Sequence, residues 1–151
     1  MEDKVKIITI KGNQNSGKTT LIKYAFDNLK HDGAEILEYK VSGHLQDDFT
    51  AIILWRGIKV YIQSLGDIND ETDEGQMSWI KDGVKNAEKL NADVLINAFT
   101  SILDEKDYLA FLSPKIPCFI NVLKQIDGEE MTIQRQKKYF KELLPELMKI
   151  V

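Results

Sequence analysis

The sequence predicts an α/β fold, a mostly parallel sheet with helices on both faces and an antiparallel hairpin strand at one edge. Three observations carry this. Strand-type and helix-type runs alternate along the 151 residues, the pattern of parallel strands joined by crossover helices. Several strand-type runs are apolar nearly throughout, as strands buried on both faces are. One pair of runs is separated only by Arg56-Gly57, a connection that suits a hairpin and reverses one strand.

The elements follow in order. Val5-Lys6-Ile7-Ile8-Thr9-Ile10 is a β-branched run of strand type. Leu21, Ile22, Ala25, Phe26 and Leu29 then recur at helical spacing. Gly33 is placed to end that helix in the left-handed conformation. Residues 35–41 read as a strand, and 42–48 as a polar loop. The hairpin strands span 49–55 and 58–63. An acidic stretch then runs to Gly75, where Asp73 and Gln76 have capping-box spacing. The helix behind it lines up Met77, Ile80, Val84, Ala87 and Leu90. Residues 93–99 form the next strand. Ser101 with Asp104 is expected to cap a short helix through Leu109 and Leu112, closed by Ser113-Pro114. A strand follows over 116–122. Asp127 and Glu130 are expected to cap the last helix, with Ile133, Phe140, Leu143, Leu144 and Leu147 on its apolar face and a kink or restart at Pro145. Trp55 and Trp79 are expected to pack in or near the core.

The length predicts one domain over 1–151, large enough for its own core. A net charge of −4 gives no electrostatic reason to expect nucleic acid or an anionic membrane as partner. The single cysteine, Cys118, rules out an internal disulfide and sits in an apolar run, where a buried, unreactive thiol is expected. The longest apolar runs are too short to span a bilayer. Met1-Glu2-Asp3-Lys4 lacks a secretory pattern, so a cytoplasmic location is expected.

The chemistry concentrates between the first strand and the first helix. Gly12-Asn13-Gln14-Asn15-Ser16-Gly17-Lys18-Thr19 reads G-x-x-x-x-G-K-T. The glycines permit backbone angles that turn successive N–H groups onto one phosphate, and Asn15 tolerates positive φ better than most residues. The opening helix points its free N–H groups and positive dipole end at the same anion. The bare pattern arises by chance in roughly one chain of this length in a few hundred, and strand before with helix after is the context it requires.

On residues 5–30 the chain resembles the P-loop NTPase superfamily, and beyond them the likeness is architectural. The resemblance implies a three-layer P-loop NTPase fold, a nucleoside triphosphate bound by residues 12–19 and Thr20, ATP as that nucleotide, and Mg²⁺. Lys18 would reach the β and γ phosphates, and the Thr19 hydroxyl would hold the metal. An acid is expected at the end of a second apolar strand, but Lys59-Val60-Tyr61-Ile62-Gln63-Ser64 ends in Gln and Ser. Asp67 is therefore the first candidate for catalytic acid and metal ligand, with Asp47 and Asp48 second. Gln63 and Ser64, and after the next strand Asn97, Thr100 and Ser101, are candidates to contact a γ-phosphate or its attacking water. His44 lies in a loop that could close over the site.

The subfamily is narrowed by departures. Gln63-Ser64-Leu65-Gly66 stands where small GTPases carry D-x-x-G. Asn121, Lys124 and Asp127 miss the spacing of N-K-x-D, so guanine recognition is disfavoured. With only Arg56 and Arg135, the chain lacks the arginines by which nucleotide kinases clamp phosphate. Asn13 replaces the second lysine of the deviant Walker A class. The expectation is a small stand-alone ATP-binding domain with slow or partner-stimulated hydrolysis. A non-catalytic nucleotide-dependent switch is the alternative from another class. A small-molecule kinase or atypical GTPase is the other enzyme reading, and a protein partner or a small-molecule acceptor stays open.

Overall fold

The computed structural model describes residues 5–13, 17–41, 49–64, 73–100, 103–122 and 131–151, excluding the side chains of 73–76. Among the described residues six strands and four helices occur in the order β1 (Lys6–Gly12), α1 (Lys18–His31), β2 (Glu35–Val41), β3 (Phe49–Trp55), β4 (Ile58–Ser64), α2 (Asp73–Lys89), β5 (Val94–Thr100), α3 (Glu105–Leu112), β6 (Cys118–Val122) and α4 (Ile133–Met148). The strands form one mixed sheet in the order β2-β3-β4-β5-β1-β6. β1 pairs in parallel with β5 and β6, and β4 in parallel with β5. β3 is antiparallel to both its neighbours. The reversed strand thus stands one place in from the edge, where the sequence suggested the edge itself, because β2 pairs onto its free side.

Local chemistry explains the connections. Arg56 and Gly57 both have positive φ, 48° and 84°, the two-residue turn whose twist matches a hairpin. Arg56 is tied to Asp32, Nε to Oδ2 at 3.0 Å, and its guanidinium lies over the Trp55 ring. Gly33 (φ 98°) closes α1: its N–H donates to the Lys30 carbonyl and that of Ala34 to Leu29. Asp104 caps α3, accepting from the Asp107 N–H, and Ser101 lies outside the described residues. Thr132 caps α4, accepting from the Arg135 N–H. The proposed caps Asp127 and Glu130 lie outside the described residues, and the helix runs unbroken through Pro145.

Two hydrophobic layers sandwich the sheet. On one face α1 and α4 press Leu21, Phe26, Leu143 and Leu147 onto Ile8, Ile10, Ile62 and Ile96. On the other, α2 and α3 press Ile80, Val84, Tyr108 and Leu112 onto Ile7, Tyr61, Leu95 and Phe99. β5 is buried along its whole length, as a strand covered on both faces must be. The core face of α4 carries Leu143 and Leu147, with Phe140 and Leu144 partly buried against it, as expected; it also takes in Gln136 and Tyr139, while Ile133 is exposed. The Gln136 amide enters the core because it donates to the Met131 carbonyl at 2.9 Å, so its burial is satisfied. Trp55 is buried with its indole N–H on Asp32 (2.8 Å). Trp79 and Leu109 are exposed because their helices turn those positions away from the sheet, and Leu90, just past the end of α2, is exposed as well. Cys118 is half-buried, and burial raises its thiol pKa, which favours the unreactive protonated form. Among the described residues no helix is long and apolar enough to cross a membrane.

Candidate functional site

The topology selects one crevice. β1 and β5 are parallel neighbours whose chains leave in opposite directions. After β1 the chain enters α1, on the face shared with α4. After β5 it enters α3, on the other face, and returns as β6 on the far side of β1. Adjacent strands that diverge in this way open a crevice at their carboxyl ends, where ligands of open α/β sheets bind. Gly12 and Thr100 are register partners at those ends, and Val122 pairs with Gly12 from the other side. The glycine-bearing loop is therefore at the ligand end of the sheet.

Within that loop, Gly12, Asn13, Gly17, Lys18, Thr19 and Thr20 are described, and Gln14, Asn15 and Ser16 lie outside the described residues. Gly17 precedes α1 with φ 93° and ψ 20°, a left-handed conformation that a side chain would strain. It cannot provide a side-chain cap, and the first turn carries no acidic residue. No carboxylate of the helix's own first turn therefore competes for its positive end. A Cβ on Gly17 would come within 2.6 Å of Met131 Cβ, so Met131, itself buried, packs against the loop. Lys18 is the first helical residue and is 3 % exposed. Its ammonium turns back along the loop and donates to the Asn13 carbonyl at 2.8 Å. Thr19 and Thr20 are half-buried beside it.

Flanking residues separate by sheet face. Thr9 and Asn97 are register partners, and their side chains turn away from α1. Thr9 Oγ1 donates to Asn97 Oδ1 at 2.8 Å, Asn97 Nδ2 donates to the Tyr108 hydroxyl at 2.9 Å, and Tyr108 lies 3.2 Å from Thr9 Oγ1. All three side chains are fully buried. Burial raises the Tyr108 pKa against the lowering effect of those hydrogen bonds. Asn97 is thus inside β5 and occupied in tying α3 to the sheet. Lys11 faces the same side and pairs with Glu105 at 2.6 Å.

β4 ends with a side chain on each face. Tyr61 packs with α2 and α3, whereas Val60 and Ile62 pack with α1. Strand alternation then sends Gln63 to the α2 face and Ser64 to the α1 face. The Gln63 amide donates to the Trp79 carbonyl at 3.1 Å and fills the space left by the missing side chain of Gly83. Ser64 is fully buried. Thr100 is also buried, at the end of β5.

Asp67, Asp47, Asp48, His44, Ser101, Lys124 and Asp127 lie outside the described residues. Among the described residues no group of three or more histidine, cysteine or acidic side chains is gathered as a metal centre. Asp93 stands at the opposite end of the sheet, where its carboxylate accepts from the Lys59 N–H at 2.8 Å. Arg56 is at the hairpin turn and Arg135 in the first turn of α4, the positions expected of them. Met131 is the contact that sequence reasoning missed. A lone methionine after a polar stretch carries no local signal for packing on a loop more than a hundred residues away. Comparison of the chain with protein-family models, curated proteins and solved structures returns no match.

Proposed function

We propose that this chain is a small nucleotide-binding domain of the P-loop NTPase type, which binds ATP with Mg²⁺ and hydrolyses it slowly or under stimulation by a partner. The observation that carries the reading is the conjunction at residues 12–19. A left-handed Gly17 opens α1 at the carboxyl end of β1, and Lys18 folds back along the loop to the Asn13 carbonyl. This supports a cradle for the phosphate chain, since the N–H groups that open α1, its dipole and the Lys18 ammonium lie together where the sheet opens. A Cβ at Gly17 would meet Met131 and strain the loop, so the cradle is specific to glycine. In this reading Lys18 holds the β and γ phosphates and the Thr19 hydroxyl contributes to the metal. Mg²⁺, when bound, supplies charge neutralisation between the phosphates. Asp67 is the proposed acid, and Gln63 the proposed residue for the attacking water.

The engagement of Gln63 favours a second reading, a nucleotide-dependent switch without its own catalysis. Its amide is held against α2 by Trp79 and Gly83, and phosphoryl transfer depends almost wholly on positioned charge. A chain that keeps the cradle and lacks a positioned water can bind without turnover.

Thermal melting with a nucleotide panel tests the binding. ATP–Mg²⁺ at about 100 times its dissociation constant contributes about 2.7 kcal/mol, a rise of roughly 5–10 °C for a chain of this size. GTP should shift the midpoint less, and Lys18→Ala should remove the ATP shift. A midpoint unmoved by millimolar nucleotide sinks the reading. Phosphate release with and without cell extract then separates the two alternatives: sustained turnover supports the enzyme, and tight binding without turnover in either condition supports the switch.

A further inference from the structure

The edge strand β2 differs from every other strand. All seven of its residues, Glu35–Val41, are exposed. Four of them are large and apolar: Ile36 (44 % exposed), Leu37 (48 %), Tyr39 (41 %) and Val41 (60 %). An outer strand also offers a row of unpaired backbone N–H and C=O groups, which natural folds normally cover or blunt. The opposite edge strand, β6, is shorter, and its apolar residues are buried or half-buried.

The order of side chains on β2 says what fits it. The register with β3 is interrupted between Ile36 and Glu38 and is regular from Glu38 to Val41. Glu38 and Lys40 pair with Ile52 and Thr50, so they share one face. They form an ion pair at 3.1 Å, both more than two-fifths exposed. Tyr39, on the other face, stacks on Phe26 and Phe49 with centroids 5.6 and 5.4 Å away. Its ring is fixed by these contacts while its outer side stays open.

We propose that β2 pairs antiparallel with β2 of a second copy of this chain, about a two-fold axis through Tyr39, to make one continuous twelve-stranded sheet. In that register Glu38 stands opposite Lys40 of the other copy, and Lys40 opposite its Glu38. Tyr39 meets its own mate, and Leu37 faces Val41. The segment is therefore self-complementary in charge and apolar surface, as an isologous two-fold contact requires. Cross-strand opposite charges and aromatic pairs stabilise such a ladder, and like charges directly opposite weaken it. A contact of one strand per copy is at the small end of interface sizes, so the association is a reversible monomer–dimer equilibrium.

Sedimentation equilibrium of the full chain across the micromolar range tests this. The weight-average mass should climb from that of one chain toward two. Lys40→Glu or Glu38→Lys places like charges opposite each other twice and should weaken the dimer by about ten-fold or more. The double variant Glu38→Lys/Lys40→Glu exchanges the pairs and should restore it. The two single variants, mixed, should associate with each other while neither does so alone. Both positions are exposed, and far-UV circular dichroism checks that each variant stays folded. A monomer at every concentration overturns the proposal. So does a dimer indifferent to Lys40→Glu, which would place the contact elsewhere, or a folded double variant that fails to dimerise.

Discussion

Gly17→Ala is the substitution whose cost can be worked out most directly. Two penalties act at this position. The φ of 93° lies in the left-handed region, which costs an L-residue about 1–2 kcal/mol. The new methyl would also stand 2.6 Å from Met131 Cβ, 3.1 Å from its Cε and 3.3 Å from its Cγ. The first of these distances is well inside contact, and overpacking a closed site typically costs about 1–3 kcal/mol. The sum is about 2–5 kcal/mol. For a chain of this size that lowers the melting midpoint by roughly 4–20 °C, and a urea titration with unchanged m-value reads it at equilibrium.

The two penalties can be separated through Met131. Met131→Ala removes Cγ and Cε but keeps the nearest atom, so it should leave most of the Gly17→Ala cost in place. Met131→Gly removes Cβ as well, and the double variant should recover about 1–3 kcal/mol relative to the sum of the singles. The remainder is the left-handed backbone. A Gly17→Ala cost below about 0.5 kcal/mol would refute the strained geometry at this site, since unconstrained surface changes already reach that size. Full additivity with Met131→Gly would refute the contact.

Two further predictions follow from neighbouring parts of the fold. Replacing glycine by alanine inside a helix ordinarily stabilises by about 1 kcal/mol, but Gly83→Ala drives a methyl into the buried Gln63 amide and its bond to the Trp79 carbonyl. The lost buried hydrogen bond costs about 1–3 kcal/mol, so Gly83→Ala should destabilise in urea, whereas in a Gln63→Ala background the same change should stabilise. The hydrogen bonds from Lys6 (2.9 Å) and Lys149 (3.0 Å) hold the Glu146 carboxyl at about 2, below its ordinary 4.5. A lowered folded value gives stability that is complete above the unfolded pKa and disappears as pH falls through the folded one. Acid titration of the urea midpoint should therefore fall less steeply below pH ~4.5 in Glu146→Gln than in the wild type.

Elements governed by local chemistry were legible in the sequence. The Arg56-Gly57 turn, the Gly33 helix end and the strands 35–41 and 49–55 all lie where turn residues and β-branched runs placed them. What depended on a distant partner was not legible. The reversed strand was recognised from its turn, but its place in the sheet is set by β2 pairing onto it. The face of α4 was legible from Phe140 to Leu147 but not at its start, where Ile133 is exposed and an amide, Gln136, enters the core on the Met131 carbonyl. An apolar-periodicity count has no means of admitting a polar residue whose hydrogen bond is made in three dimensions.

The same distinction governs the candidate site. Gly17 announces itself, because a glycine before Lys-Thr at a strand–helix junction has a known mechanical use. Gly83 has none of that context. It lies inside an amphipathic helix, where glycine only weakens the local preference. Its use appears when β4 is laid beside α2 and the Gln63 side chain occupies the missing methyl's space. Gln63 and Ser64 are adjacent and both buried, so burial alone does not assign either to the loop. Strand alternation does, once Val60 and Ile62 are seen to pack with α1 and Tyr61 with α2. Ser64, not Gln63, is then the terminal β4 side chain on the face that carries α1, and Gln63 is held on the other face by its bond to the Trp79 carbonyl.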